Sequence, residues 1–155
     1  MVSGAEDEAI AGRRRLMALL ARASAEELER LLGDAGMASE KAVLLRGPET
    51  GLVTVRGRMG GGGTPFNVGE ATVTRATVRL AGGEAGHAYA LGRDRKKAHM
   101  AATIDALWQR PQLRAGVEAL ILEPLAAMLD EADAVRRAET AATRVDFFTM
   151  MRGED

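Results

Sequence analysis

An α+β fold, built as a single domain over residues 1–155, is predicted by three features of the sequence. Helical periodicity with capping signals occupies residues 1–37 and 94–143, whereas an extended pattern rich in Val and Thr and interrupted by glycine fills 41–91. Helices on both sides of a run of strands imply an antiparallel four-stranded sheet at about 41–91, packed by two N-terminal helices and two or three C-terminal ones. The third feature is an apolar tail at 144–155. At 155 residues and 46% hydrophobic content the chain supports one main core. With 29 Ala, 18 Gly and only five aromatic residues, that core is poor in large side chains and is expected to lean on a partner.

The helices open on a repeated signal. Ser3 with Glu6 and Ser24 with Glu27 both fit the capping box, in which hydroxyl and carboxylate satisfy backbone donors that the helix leaves orphaned. The first helix runs to about Ala23, with Ile10, Met17 and Leu20 on one side and Arg13 to Arg15 largely solvated. The second carries Leu28, Leu31 and Leu32 and ends near Gly33 or Gly36.

From Lys41 the period changes to extended. Val43, Leu44 and Leu45 form a short strand that Gly47 and Pro48 break, and Leu52, Val53 and Val55 resume it as a second strand that Gly57 weakens. After the four glycines Gly60 to Gly63, Pro65 restarts the chain. Ala71–Leu80 is the third strand, with Ala76, Val78 and Leu80 on one face and Arg75 and Arg79 on the other. A turn at Ala81–Glu84 leads to the fourth strand, Gly86–Leu91, with His87, Tyr89 and Leu91 on one side. Asp94 caps the next helix, whose buried stripe is Ala98, Ala101, Ile104, Leu107 and Trp108 and which Pro111 ends. The last helical region begins near Gln112 and keeps its phase through Val117, Leu120, Ile121, Leu125, Met128, Ala132 and Val135. Pro124 imposes a break near Glu123, and a helix continues to about Thr143.

Several chemistries are disfavoured at once. Without cysteine the chain has no disulfide, thiolate nucleophile or zinc ribbon. No apolar run approaches the roughly 20 residues of a bilayer crossing, and the acidic start Glu6, Asp7, Glu8 does not fit a signal peptide, so a cytoplasmic protein is expected. His87 and His99 have no ligand at a metal-site spacing, and no metal site is expected. The net charge of -1 hides an asymmetry: residues 56–97 hold eight basic and three acidic side chains. That basic middle suits a compact anion or an acidic protein patch better than nucleic acid, which asks for a broader surface with aromatics.

Two places in the basic region carry the specific signals. Gly60, Gly61 and Gly62 with Arg58 and Arg75 form a hairpin that lets backbone N–H groups approach an anion, although the phosphate-loop spacing fails because no Lys-Ser or Lys-Thr follows. Arg93, Arg95, Lys96 and Lys97 crowd a helix N-terminus, where each cation is unfavourable by roughly 0.3–1 kcal/mol, yet where a phosphate or carboxylate binds well. One shared site formed by the hairpin and this helix start is the simplest expectation. The competing expectation is a nucleotide-processing enzyme with Glu49 or Glu70 as general base.

The segments ETGLV at 49–53, RMGGGG at 58–63, GEATVTRATVRL at 69–80, GRD at 92–94 and RVDFFTMMRG at 144–153 resemble PhnG, the G subunit of the bacterial carbon-phosphorus lyase core complex, over about residues 10–154. The resemblance implies a subunit that works with the H, I and J subunits. Together they convert ATP and methylphosphonate into α-D-ribose 1-methylphosphonate 5-triphosphate with release of adenine, before a radical SAM subunit breaks the carbon-phosphorus bond. Nucleosidase chemistry in the family is attributed mainly to the I subunit, so no catalytic residue carries over. ATP is then a substrate of the complex, and this chain alone binds no cofactor. The fourth glycine, Gly63, and Met151 before Arg152 depart from the usual pattern. With Arg58, Arg75, Arg93 and Arg95 as the lent charge, the tail residues Arg144, Asp146, Phe147, Phe148 and Met150 are the expected partner interface.

Overall fold

The computed structural model describes residues 4–143, so the tail at 144–155 and the first capping signal at Ser3 lie outside the described residues. In chain order the elements are α1 (Gly4–Arg22), α2 (Ala25–Asp34), β1 (Ala42–Arg58), β2 (Pro65–Leu80), β3 (Ala85–Leu91), α3 (Arg95–Gln109), α4 (Pro111–Val117) and α5 (Glu123–Ala142). A 3-10 turn at Met59–Gly61 joins β1 to β2, and a π-helical turn at Glu118–Leu122 joins α4 to α5. The α+β class stands, with an open antiparallel sheet of order β1-β2-β3.

The sheet has three strands, not the expected four. Gly47 and Pro48 do not break the first strand, because β1 lies on the edge of the sheet, where a proline withholds no ladder bond from a neighbour. The register passes from Arg46↔Thr77 to Glu49↔Arg75, so Gly47 and Pro48 together face the single residue Ala76 and are absorbed as a bulge. The alternation in β2 is as expected: Ala76, Val78 and Leu80 are buried while Arg75 and Arg79 are exposed.

Ser24 and Glu27 form the capping box of α2, with Glu27 N–H donating to the Ser24 hydroxyl at 3.1 Å and Ser24 N–H to the Glu27 carboxylate at 2.7 Å. In α1 Leu20 is buried as expected, together with Leu16 and, just past the helix, Ala23; Ile10 and Met17 are exposed, so the buried side is only partly the one their spacing implied. The phase across Pro124 also shifts. Glu123 N–H reaches back five residues to the Glu118 carbonyl, and this wide turn accommodates the missing donor of Pro124 without a break. It also rotates the buried face onto Val117, Ile121, Leu122, Leu125 and Leu129, leaving Leu120 and Val135 in solvent.

The core centres on α3, which is buried almost all round from Ala98 to Trp108 rather than along one stripe. Its small residues let β3 approach backbone to backbone. A Cβ added at Gly86 would stand 2.0 Å from the Ala102 carbonyl oxygen and 2.5 Å from the Ala106 nitrogen. The alanine content therefore serves close layer packing, not a loose core.

Within this core lies a fully buried carboxylate that no local sequence pattern announces. Asp105 accepts from Arg13 Nε at 2.9 Å and Nη2 at 2.7 Å, and from the His87 backbone N–H at 2.8 Å. Arg13 is thus no solvated member of its run; its guanidinium reaches from α1 into α3, and the Asp105 hydrogen bond raises its pKa. The planar guanidinium matches both carboxylate oxygens, which an ammonium does not.

Gly86→Ala is expected to destabilise the protein by about 3 kcal/mol, the upper end of the usual overpacking penalty. Urea unfolding followed by circular dichroism checks this: the midpoint should fall with the slope unchanged, and an unmoved midpoint would contradict the close packing of β3 on α3.

Candidate functional site

The long hairpin and the start of α3 do meet, but at the hairpin's waist and not at its glycine tip. Gly60 and Gly61 take positive φ angles of 59° and 78° in the tip, and Arg58 Nη1 donates to the Gly63 carbonyl at 3.1 Å. Arg58 therefore folds back onto the loop it precedes. The tip pairs at Arg58↔Pro65, six residues along β1 from the Leu52↔Thr72 pair, a distance of ~20 Å at strand rise. The expected single site joining Gly60, Gly61, Gly62 and Arg58 to the helix start is thus divided by the length of the hairpin.

At the waist the chain is pinned by a ladder of threonines. Thr74 is almost fully buried, sits 3.0 Å from the Thr50 hydroxyl and donates to the Gly92 carbonyl at 2.7 Å, while Gly92 N–H donates to the Thr72 carbonyl at 2.9 Å. These bonds hold the turn Gly92–Asp94 against the sheet. Asp94 then caps α3 by accepting from Lys97 N–H at 2.8 Å. Thr50 and Thr74 were visible in the sequence only as strand formers, and their pairing across the hairpin depends on a register that no local pattern gives.

The four cations at the start of α3 split into two pairs. Lys96 donates to Glu29 of α2 at 2.7 Å, and Lys97, its pKa lowered chiefly by burial, donates to the Ala21 carbonyl near the end of α1 at 2.7 Å. Both lysines stitch α3 to the N-terminal helices. Arg93 and Arg95 are exposed and instead line an open depression of about 440 Å³ with Thr50, Gly51, Leu52 and Thr72. Its lining includes no carboxylate, and neither arginine joins the ion pairs of the described residues.

Arg75 is differently placed. It shares Glu49 with Arg46, at 3.1 Å and 2.9 Å respectively, and borders a pocket of about 260 Å³ lined also by Met17, Leu20, Ala76, His87 and Tyr89. Arg46 first, and Arg75 second, hold the Glu49 carboxyl below its ordinary value of 4.5. A carboxylate clamped between two guanidiniums is a weak proton acceptor. Glu70 pairs across from Thr54, five residues along the hairpin from Glu49, so the two carboxylates do not form a common site. The expected interface residues Arg144, Asp146, Phe147, Phe148 and Met150 lie outside the described residues.

Among the described residues no group of three potential metal ligands is assembled, and no helix is long and apolar enough to cross a membrane. Residues 11–153 match the family described as phosphonate metabolism protein PhnG. A protein of Rhizobium meliloti (strain 1021), named alpha-D-ribose 1-methylphosphonate 5-triphosphate synthase subunit PhnG, is 57% identical over 150 residues, covering 97% of this chain and 95% of the relative.

The ion pairs of Glu49 make a pH prediction. A carboxyl whose folded pKa is depressed contributes stability that is present above its unfolded value and lost as pH falls through the folded one. Carbon-13 NMR titration of the Glu49 carboxyl should give a midpoint below 4.5, and Arg46→Ala should move it upward. A wild-type midpoint above 4.5 would contradict the clamp and restore Glu49 as a base.

Proposed function

This chain belongs to the PhnG family of phosphonate metabolism proteins, and from that membership we propose that it lends positive charge to a reaction carried out by its complex. It is a subunit of the carbon-phosphorus lyase machinery, the α-D-ribose 1-methylphosphonate 5-triphosphate synthase. In our reading the H, I and J subunits are its partners, the assembly is cytoplasmic, and ATP and methylphosphonate enter as substrates of the complex with adenine leaving. This chain binds no cofactor by itself and supplies no catalytic residue.

The observation that carries the proposal is the carboxylate-free depression bordered by Arg93 and Arg95. Both reactants and the triphosphate product are anions, and arginine answers phosphate oxygens with paired N–H donors where lysine offers a point charge. The N-terminus of α3 is already capped by the Asp94 carboxylate, so the charge offered to an anion is that of the two arginines. The Thr50–Thr74 pair supports the same reading, because it fixes the turn that carries Arg93 and leads into Arg95. Arg75 and Arg58 fit the role less well, being bonded to Glu49 and to the Gly63 carbonyl.

Adenine release by the reconstituted complex is the test. Omitting this chain should abolish release, and Arg93→Glu with Arg95→Glu should lower it at least about tenfold, the scale of losing one charged contact to a phosphate. The doubly substituted chain should still co-elute with the other subunits. Equal rates with and without this chain would refute the proposal, and adenine release by the chain alone would assign it the catalysis instead.

A further inference from the structure

Beyond the Leu52↔Thr72 pair the hairpin runs on as a ribbon of two strands only. Residues 65–71 of β2 face β1 alone, with Val68 left out of the register at a bulge, because β3 is paired with β2 over Val73–Arg79 and Gly92 reaches only as far as the Thr72 carbonyl. No residue from 42 to 70 is buried. A two-stranded ribbon without a third strand or a helix against it is marginal in water. This one nevertheless carries Leu52, Val55, Met59, Phe66 and Val68, each between 43% and 75% exposed.

Two of these side chains are arranged together. A Cβ built at Gly57 would meet Val68 Cγ2 at 2.7 Å and the Phe66 ring at 3.9 Å, so Phe66 and Val68 lie side by side over the bare backbone of Gly57. Exposed apolar surface of this kind, on an edge strand as long as β1, marks an interface or invites aggregation. Arg46, Pro48 and two bulges disrupt β1 before Glu49 and a third interrupts it between Val55 and Arg56, whereas the register from Glu49 to Val55 is regular and leaves a flat stretch of edge.

Charge indicates the occupant. Between Thr50 and Gly69 the only charged side chains are Arg56 and Arg58. Glu70 stands at the base of the ribbon opposite Thr54, so a second copy of the ribbon would set four arginines against two glutamates and leave the cations in excess. We infer that the ribbon of residues 52–70 is a docking arm that seats in an apolar groove bordered by carboxylates on another protein subunit of the synthase. The inference rests on the reading of this chain as a subunit and adds the surface by which it is held.

The test co-expresses the full chain with the other synthase subunits and follows co-elution by size exclusion. Wild-type chain should co-elute. Val55→Ser/Phe66→Ser/Val68→Ser should reduce recovered complex at least about tenfold, as truncating a central apolar anchor does. Arg56→Glu/Arg58→Glu, which leaves the apolar surface intact, should also reduce it, more strongly at low salt than at high salt. Circular dichroism of each variant reports folding independently. Undiminished co-elution of both variants would overturn the arm while leaving the subunit reading intact, and failure of the wild-type chain to co-elute would overturn both. A dimeric isolated chain that becomes monomeric on arm substitution would assign the surface to a second copy instead. A photo-crosslinker at position 66 that captures residues 144–155 of the same chain would assign it to the tail, and either result would refute the proposal.

Discussion

The carboxylate of Asp105 is the constraint on which the rest of the molecule depends. It sits on α3 with no solvent exposure, takes both donors of the Arg13 fork from α1 and accepts the His87 N–H from β3. One side chain thereby sets the position of a helix, the central helix and a strand relative to one another. Leaving such a group without its cation costs about 3–5 kcal/mol, so its value is as much in excluding other arrangements as in stabilising this one. Because β3 is held there, Gly86 can press against Ala102 and Ala106, and the layers close to backbone contact.

With the layers fixed in this way, the turn Gly92–Asp94 stands on a rigid platform. The Thr74 hydroxyl and the Thr72 carbonyl bond the turn to the hairpin waist, with the Thr50 hydroxyl against Thr74, while Lys96 and Lys97 bond the start of α3 to α2 and α1. Arg93 and Arg95 are left over from this bonding, on the side where the depression opens. A cluster of four cations at a helix N-terminus is thus two different devices: two lysines that resolve the local electrostatic conflict through partners, and two arginines that leave it unresolved. Asp94, between the two arginines in the chain, is engaged in capping the helix.

Much of the fold was legible because local chemistry and tertiary demand agree there. The Ser24 capping box, the Asp94 cap and the alternation in β2 each arise from contacts a few residues apart, and each is found where its residues placed it. The misreadings have a common cause, which is dependence on partners remote in sequence. Pro48 reads as a break unless β1 is known to be an edge strand, and Pro124 reads as a break unless a π turn absorbs it. Arg13 and Asp105 are 92 residues apart, and nothing in either local pattern announces the pair. For the candidate site, the basic residues were visible as a cluster, but which hairpin level they face was not, because that depends on how Thr74 bonds Gly92.

The protein is accordingly a well-fixed body that bears an unsupported arm, and the two parts should differ in their protection from solvent. Hydrogen–deuterium exchange of the isolated chain, repeated in the assembled complex, measures this directly. Amides of residues 98–108 and 73–80 should be protected in both states. Amides of residues 52–70 should exchange fast in the isolated chain and become protected on assembly, with 92–95 slowing further when the anionic substrates are added. An arm already protected in the isolated chain, or unchanged by assembly, would contradict the account.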